Sequence, residues 1–208
     1  MDWQTILYRL PGIVLGLTIH EYCHAFCAYK LGDNTARDQG RLTFNPAKHI
    51  DFIGLLFIIF AGFGWAKPVQ FNPGNLRKYR RDKAMIAAAG PLSNLILGIL
   101  FCLIIRALIA LLANNVINPG IYFFHLYIAL FYAASINFGL FVFNLFPIPP
   151  LDGSHIVFSG LNLSYDTEVK IRKLGLPLLF LAIIAQNHFD IPIIPVGIVV
   201  DALLGLFL

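Results

Sequence analysis

The sequence predicts an all-α polytopic membrane protein. It would be a bundle of about five to six transmembrane helices, with short re-entrant or extended β-like segments near the cytoplasmic side. Three observations carry this prediction. Charged residues make up 12% of the 208 and hydrophobic residues 58%, whereas soluble domains carry roughly 25% and 45–50%. So few charges cannot cover the surface of a soluble protein this size. Long apolar segments alternate with short charged loops, and several reach the roughly 20 residues that one crossing needs. Other segments are broken by Gly and Pro, and irregular backbone at membrane depth is tolerated where it lines a cavity or packs in protein. The net charge of +4 calls for no nucleic acid, because basic residues in cytoplasmic loops account for it. Cys23, Cys27 and Cys102 are odd in number and lie in apolar segments, so no disulfide framework is predicted.

The first element covers residues 3–29, with Pro11 and Gly12 set to break or kink it near its start. The opening "MDWQTILYRLPG" lacks a basic stretch and a small-residue cleavage site, so this apolar run is expected to be retained. "KLGDNTARDQGRLTFNPAKHID" follows as a polar loop punctuated by Gly, Asn and Pro, in which "RLTF" reads as a short strand. Residues 52–66 are apolar but short for a crossing. Gly62 and Gly64 loosen their end, which predicts a short helix running into a re-entrant turn. "KPVQFNP" reads as extended chain, since Pro68 and Pro73 oppose helix.

"NLRKYRRDK" is the densest basic cluster and marks the cytoplasmic side. Residues 85–113 form a strong span. Their lone charge, Arg106, falls about 30 Å along it, at the far interface where it can snorkel. "NNVINPG" turns outside, and residues 121–146 return. "PIPPLDGSHIVFSGL" leads into the charged loop "NLSYDTEVKIRK", expected in the cytoplasm. Two short apolar stretches, 174–185 and 191–208, end the chain, separated by "QNHFD". No repeat or low-complexity tract interrupts the pattern, so residues 1–208 read as one membrane domain.

Within "LTIHEYCHAFCAYKLGD" the order His20, Glu21, Tyr22, Cys23, His24 carries chemistry. Two histidines four apart on a helix differ by about 40° of rotation and about 6 Å of rise, so both imidazoles share a face. A tetrahedral zinc ion can sit between them. Glu21, beside that face, can take a proton from a water and return it to a leaving amine. Ionisable groups within membrane helices are costly and mark functional sites. A catalytic zinc needs a third protein ligand. The metzincin offsets hold Cys27 and Lys30, and Glu168, the other glutamate, lies in a charged loop. Cys27 shares the histidine face but lies about 7–8 Å beyond their midpoint, too far for a Zn–S bond of about 2.3 Å. Cys23 and Cys27 both read as packing residues. Asp152, in "NLFPIPPLDGSH", follows prolines that force extended chain. Spacing leaves two readings open for it: a zinc ligand on non-helical backbone, or a helix N-cap.

Together these residues resemble the site-2 protease family of zinc intramembrane proteases, in its short prokaryotic form. The zinc motif matches His20, Glu21 and His24. The second motif matches Asn144, Pro147, Pro149, Leu151, Asp152 and Gly153. "GDNTARDQGRLTFNPAKHIDFIG" and "GWAKPVQFNP" are also similar, and "AAGPLSN" resembles the family's Gly-x-x-x-Asn element, Gly90 to Asn94. The resemblance implies one Zn²⁺ held by His20, His24 and Asp152, Glu21 as general base, and Asn94 holding the substrate or polarising its carbonyl. Asn94 also has a plainer reading, as an amide hydrogen-bonding between helices. A PDZ domain is expected to be absent. His49, His125, His155 and His188 read as loop or interfacial residues.

The activity implied is hydrolysis of a peptide bond within or near a transmembrane helix of a membrane-protein substrate, as in regulated intramembrane proteolysis. The partners are then a transmembrane protein or peptide and the lipid bilayer. The location is a prokaryotic cell membrane, with the site about 9 Å inside the cytoplasmic surface marked by Lys30. "RLTF" and "KPVQF" are candidates to pair with an unwound substrate by β-augmentation. The Gly- and Pro-rich stretches 61–68 and 146–153 are where a water path is expected. The competing readings are a membrane metal transporter, which would show acidic residues on several spans, and a non-catalytic zinc-binding scaffold.

Overall fold

A computed structural model describes residues 2–61, 64–161, 163, 165–189 and 193–208, and among these the regular elements are all helical. Helix α1, Trp3–Lys30, is capped by Asp2, whose carboxylate accepts from Thr5 N at 2.6 Å. It runs on through Pro11 instead of breaking there. Gly12 lets α6 press against it, since a Cβ there would stand 2.7 Å from Ala133 Cα. Small residues at helix contacts are what membrane bundles use to approach closely. The chain leaves α1 through Gly32, at φ +103°, a conformation suited to glycine.

Two single-turn helices, α2 (Thr35–Asp38) and α3 (Pro46–His49), lead to α4 (Phe52–Ala61). The strand expected at "RLTF" does not form. Residues 41–44 are bend and irregular chain, because local bonds satisfy the backbone. The Thr43 hydroxyl accepts from Asn45 N at 3.2 Å, and the Thr43 carbonyl accepts from the His49 ring at 2.7 Å. Such turns compete with a ladder. Helix α4 is about 15 Å long, half a bilayer, as its length predicted; Gly62 lies outside the described residues. From Trp65 to Asn72 the chain forms no regular element, with Asn72 itself extended, and a 3₁₀ turn, Pro73–Asn75, follows.

Helix α5, Tyr79–Ala113, starts six residues earlier than the apolar span and takes in Arg80, Arg81 and Lys83. Asp82 makes this possible by accepting from Lys78 N at 2.8 Å in the first turn, where an acid suits the helix dipole. Helix α6, Ile121–Asn144, stops just before the Pro-rich stretch. Then come α7 (Asp152–Gly160), α8 (Tyr165–Phe189) and α9 (Val196–Phe207). The charged loop expected at 162–173 is, from Tyr165, the start of α8. Asp166 and Glu168 occupy its first turn, and Glu168 pairs with Arg172 at 3.1 Å one turn on. Residues 174–185 continue that helix. Asp190 and Ile191, where a separator and a new stretch were expected to meet, lie outside the described residues.

Helices α1, α5 and α6 pack together, α7 lies on α5, and α9 lies on α6. Phe138 of α6 fills the space left by Gly98 of α5, where a Cβ would be 2.5 Å from the ring. Cys102, Ala134, Val200 and Leu204 complete that core. Leu151, Leu179 and Ile194 join α8 to the chain around α7. Helices α5 and α6 are long and apolar enough to cross a membrane, yet their most apolar stretches are only 17% and 22% buried. The core helix of a soluble protein would hide that face; here Ile96, Leu100 and Leu103 are exposed. By length and composition two of the described helices meet the criterion for crossing, against the five to six expected. The apolar run of α1 is interrupted by His20, Glu21 and His24, and that of α8 is shortened by its charged first turns.

Candidate metal centre

Three helices converge on one point. His20 and His24 project from α1, Gly90 makes room for them on α5, and Asp152 opens α7. His20 Nε2 and His24 Nε2 are 3.0 Å apart, and Asp152 Oδ2 lies 3.2 and 3.3 Å from them. A tetrahedron with metal–ligand bonds of 2.0–2.1 Å has edges of about 3.3 Å, so the three atoms outline one face of a zinc site.

The hydrogen bonds behind the rings fix what those atoms are. His20 Nδ1 lies 2.6 Å from Asn94 Oδ1, and His24 Nδ1 lies 2.7 Å from Ile86 O. The Asn94 orientation is itself set, because its Nδ2 donates to Gly16 O at 3.1 Å and to Asn137 Oδ1 at 3.0 Å. Both Nδ1 atoms therefore carry the proton, and both Nε2 atoms offer lone pairs. These lone pairs face Asp152 Oδ2, which is buried and without a hydrogen-bond partner. Three acceptors turned on one another in a buried space repel unless a cation joins them. The donor set fits zinc: two neutral imidazoles, each held by a second polar group, and one carboxylate.

Two glycines are required. At Gly90 a Cβ would sit 2.4 Å from His24 Nε2 and 2.6 Å from His20 Nε2; at Gly153 it would sit 2.0 Å from Leu145 O. Asp152 stands where the ligand reading put it, with His20 and His24, but not on the non-helical backbone expected. It is the first residue of α7, not its cap, which is Leu151, and its carboxylate comes from helical backbone. A helix N-terminus favours that negative charge.

Glu21 is buried beside the histidines. Its Oε2 accepts from Val69 N at 2.9 Å and lies 3.9 Å from Arg41 Nη2. Glu21, His20, His24 and Asp152 line one cavity of about 810 Å³. Gly64, Trp65, Pro68, Pro150 and Leu151 line it too, so both Gly- and Pro-rich stretches border the site; Gly62 and Phe63 lie outside the described residues.

The structure thus brings His20, Glu21, His24 and Asp152 together and places Asn94 behind His20. Asn94 is fully buried, with both ends of its amide engaged between helices, and it faces the imidazole. His49 is buried, not interfacial. His155, on α7, lines the cavity with Arg172 nearby at 3.3 Å. His125 meets the Tyr8 hydroxyl, and His188 stacks edge-on with Phe189. Sequence reasoning missed Asn137, which donates to Ala133 O at 2.8 Å and steadies Asn94. An amide inside an apolar span was the available signal. It also missed Arg41, and Asp201, an acid on apolar α9 that borders the cavity.

Comparison with known proteins supplies the family. The profile of Peptidase family M50 matches residues 121–185, which include Asn144 and Asp152. YwhC of Bacillus subtilis (strain 168), whose name proposes a zinc metalloprotease, is 41% identical over 153 residues, 72% of this chain and 67% of its own. Rip2 of Mycolicibacterium smegmatis, named in the same way, is 32% identical over 158 residues, 74% of this chain and 57% of its own. Rip2 of Mycobacterium tuberculosis (strain H37Rv) is 31% identical over 150 residues, 69% of this chain and 53% of its own. The chain thus spans just over half the length of the Rip2 proteins. No solved structure matches.

Proposed function

The chain belongs to peptidase family M50, and on that premise we propose that it is an intramembrane zinc metalloprotease, cutting a peptide bond within or near a transmembrane helix of another membrane protein. The observation that carries the reading is the triangle of His20, His24 and Asp152 with Glu21 beside it on one cavity. Zinc bound there would polarise the scissile carbonyl and lower the pKa of a bound water to about 7. His20, His24 and Asp152 would hold the ion. Glu21 accepts the water's proton and returns it to the leaving amine. The Val69 N–H on Oε2 fixes the carboxylate and leaves its other oxygen for that transfer. Asn94 and Asn137 keep the His20 lone pair aimed at the ion.

The cavity's volume is that of a substrate pocket, and its walls are largely apolar, as a greasy substrate requires. A helical substrate hides its carbonyls, so it must unwind at the cut. The irregular chain from Trp65 to Asn72 borders the cavity at Trp65, Pro68, Val69 and Phe71, and any pairing with an unwound substrate would use the backbone groups there that are not already bonded to Glu21, Arg41, His49 and Asp33. Helices α1 and α8 are long enough to cross alongside α5 and α6, whereas α9, with 12 residues, is about 18 Å long and spans only part of the bilayer by itself, all within one membrane domain. The basic residues at the start of α5 set the zinc end toward the cytoplasm.

Among the described residues one cluster of His, Cys, Asp or Glu can hold a metal, which favours a single catalytic ion over a transport path. The test is Glu21→Gln in detergent or liposomes, with cleavage of a membrane reporter and zinc content read together. Cleavage should fall by at least about 10²-fold with zinc retained. Undiminished cleavage with zinc unchanged would overturn the assignment.

A further inference from the structure

The stretch joining α1 to α4 carries an arginine that the chemistry above leaves without a task. Arg41 Nη2 donates to Lys67 O at 2.5 Å, and Nη1 donates to Pro68 O at 3.4 Å. The same Nη2 lies 3.9 Å from Glu21 Oε2, and the two side chains are 13% and 9% exposed. The chain that Arg41 grips is the chain that bonds Glu21, through Val69 N. One guanidinium therefore holds the carbonyl of the peptide that carries the Val69 N–H and stands beside the carboxylate that accepts it.

This segment needs such a grip. It has no strand partner in the described chain, and Pro68 offers no N–H of its own. Its other described backbone anchors are Lys67 N on His49 O at 2.7 Å and Asn72 N on Asp33 Oδ2 at 2.7 Å. Pro68 and Val69 form the cavity wall beside Glu21, so any slack there is felt at the carboxylate.

We propose that Arg41 is a positioning residue for Glu21: by holding the Lys67 and Pro68 carbonyls it keeps the Val69 N–H on Oε2, and so aims the other carboxylate oxygen into the cavity. The inference rests on Glu21 being the base. A planar fork can hold two successive carbonyls in fixed geometry, whereas a lysine ammonium is a single point of attachment. A displacement near 1 Å at a reacting group costs about 10²-fold in rate.

The test is Arg41→Gln and Arg41→Lys in the full chain, with kcat, KM and zinc per chain measured on a membrane reporter. Arg41→Gln should lower kcat about 10- to 100-fold, with KM and zinc within twofold, and Arg41→Lys should recover part of the loss. Val69→Pro, which deletes the N–H, should also lower kcat, and combined with Arg41→Gln it should add little, because both act through one contact. An unchanged kcat in Arg41→Gln, or a loss explained by missing zinc, would overturn the proposal. Glu21→Gln run beside them separates the two ideas. If it stays active, the base assignment fails; if it is inactive while Arg41→Gln keeps full kcat, only the role of Arg41 fails.

Discussion

At Gly90 a single added carbon reaches the metal centre. Its Cβ would stand within 2.6 Å of both Nε2 atoms, the atoms that would bind the ion. Gly90→Ala should therefore weaken zinc by at least about 100-fold while the helix around it persists, since alanine suits a helix better than glycine. Chelator competition against the purified protein measures this. Asn94 acts from the opposite side of His20. Asn94→Leu removes the acceptor of the Nδ1 proton and leaves a buried donor unpaired, so the ring loses its orientation. Zinc affinity should fall about 10- to 100-fold. Unchanged affinity with a raised KM would instead give Asn94 the substrate-contacting role that the family resemblance suggested.

The element on which the site turns is the irregular chain after α4, and its far end hangs on Asp33. This side chain is fully buried. It accepts from Thr35 N and Oγ1, from Asn75 Nδ2 and from Asn72 N. Burial opposes its ionisation, but these donors outweigh it and hold the carboxyl below its ordinary 3.8. A depressed folded-state pKa gives stability that is complete above 3.8 and lost as pH falls through the folded value. Asp33→Asn should therefore lower the melting temperature in detergent at pH 7, and the gap to the parent should narrow by pH 3. A gap that stays constant with pH would show that the charge contributes nothing. Helices α5 and α6 were legible in the sequence because a long apolar run has one stable form in lipid. The pair His20 and His24 was legible because helical spacing sets its geometry. The start of α8 was not, because charges read as loop also suit a helix N-terminus. "RLTF" was not, because β-branched and aromatic content reports a fit to a sheet that this segment does not have. Arg41 was not, because its partners are backbone carbonyls 26 and 27 residues away.

Across the whole molecule, α8 decides whether the cavity is closed. Leu176, Leu179, Phe180 and Ile183 form one of its walls, while Leu174, Leu181 and Ile184 face outward. A buried polar tie between α8 and the bundle is Glu168, whose Oε2 accepts from Lys83 Nζ of α5 at 2.6 Å. Both side chains are under a tenth exposed, so breaking the pair should cost about 3–5 kcal/mol. The two single variants should not be equal. Lys83→Met leaves Glu168 its second partner, Arg172, at 3.1 Å. Glu168→Leu leaves a buried ammonium facing the Tyr79 ring at 5.4 Å, a weaker neighbour worth about 2 kcal/mol when desolvated. Glu168→Leu should thus be the more destabilising. The double variant should be milder than the sum, because an apolar pair carries no uncompensated charge. Melting temperatures of the four proteins in one detergent form the cycle that isolates this coupling. Strict additivity would mean that α8 is held by its other contacts, among them the apolar cluster of Leu151, Leu179 and Ile194. In that case the wall of the cavity would not depend on Glu168.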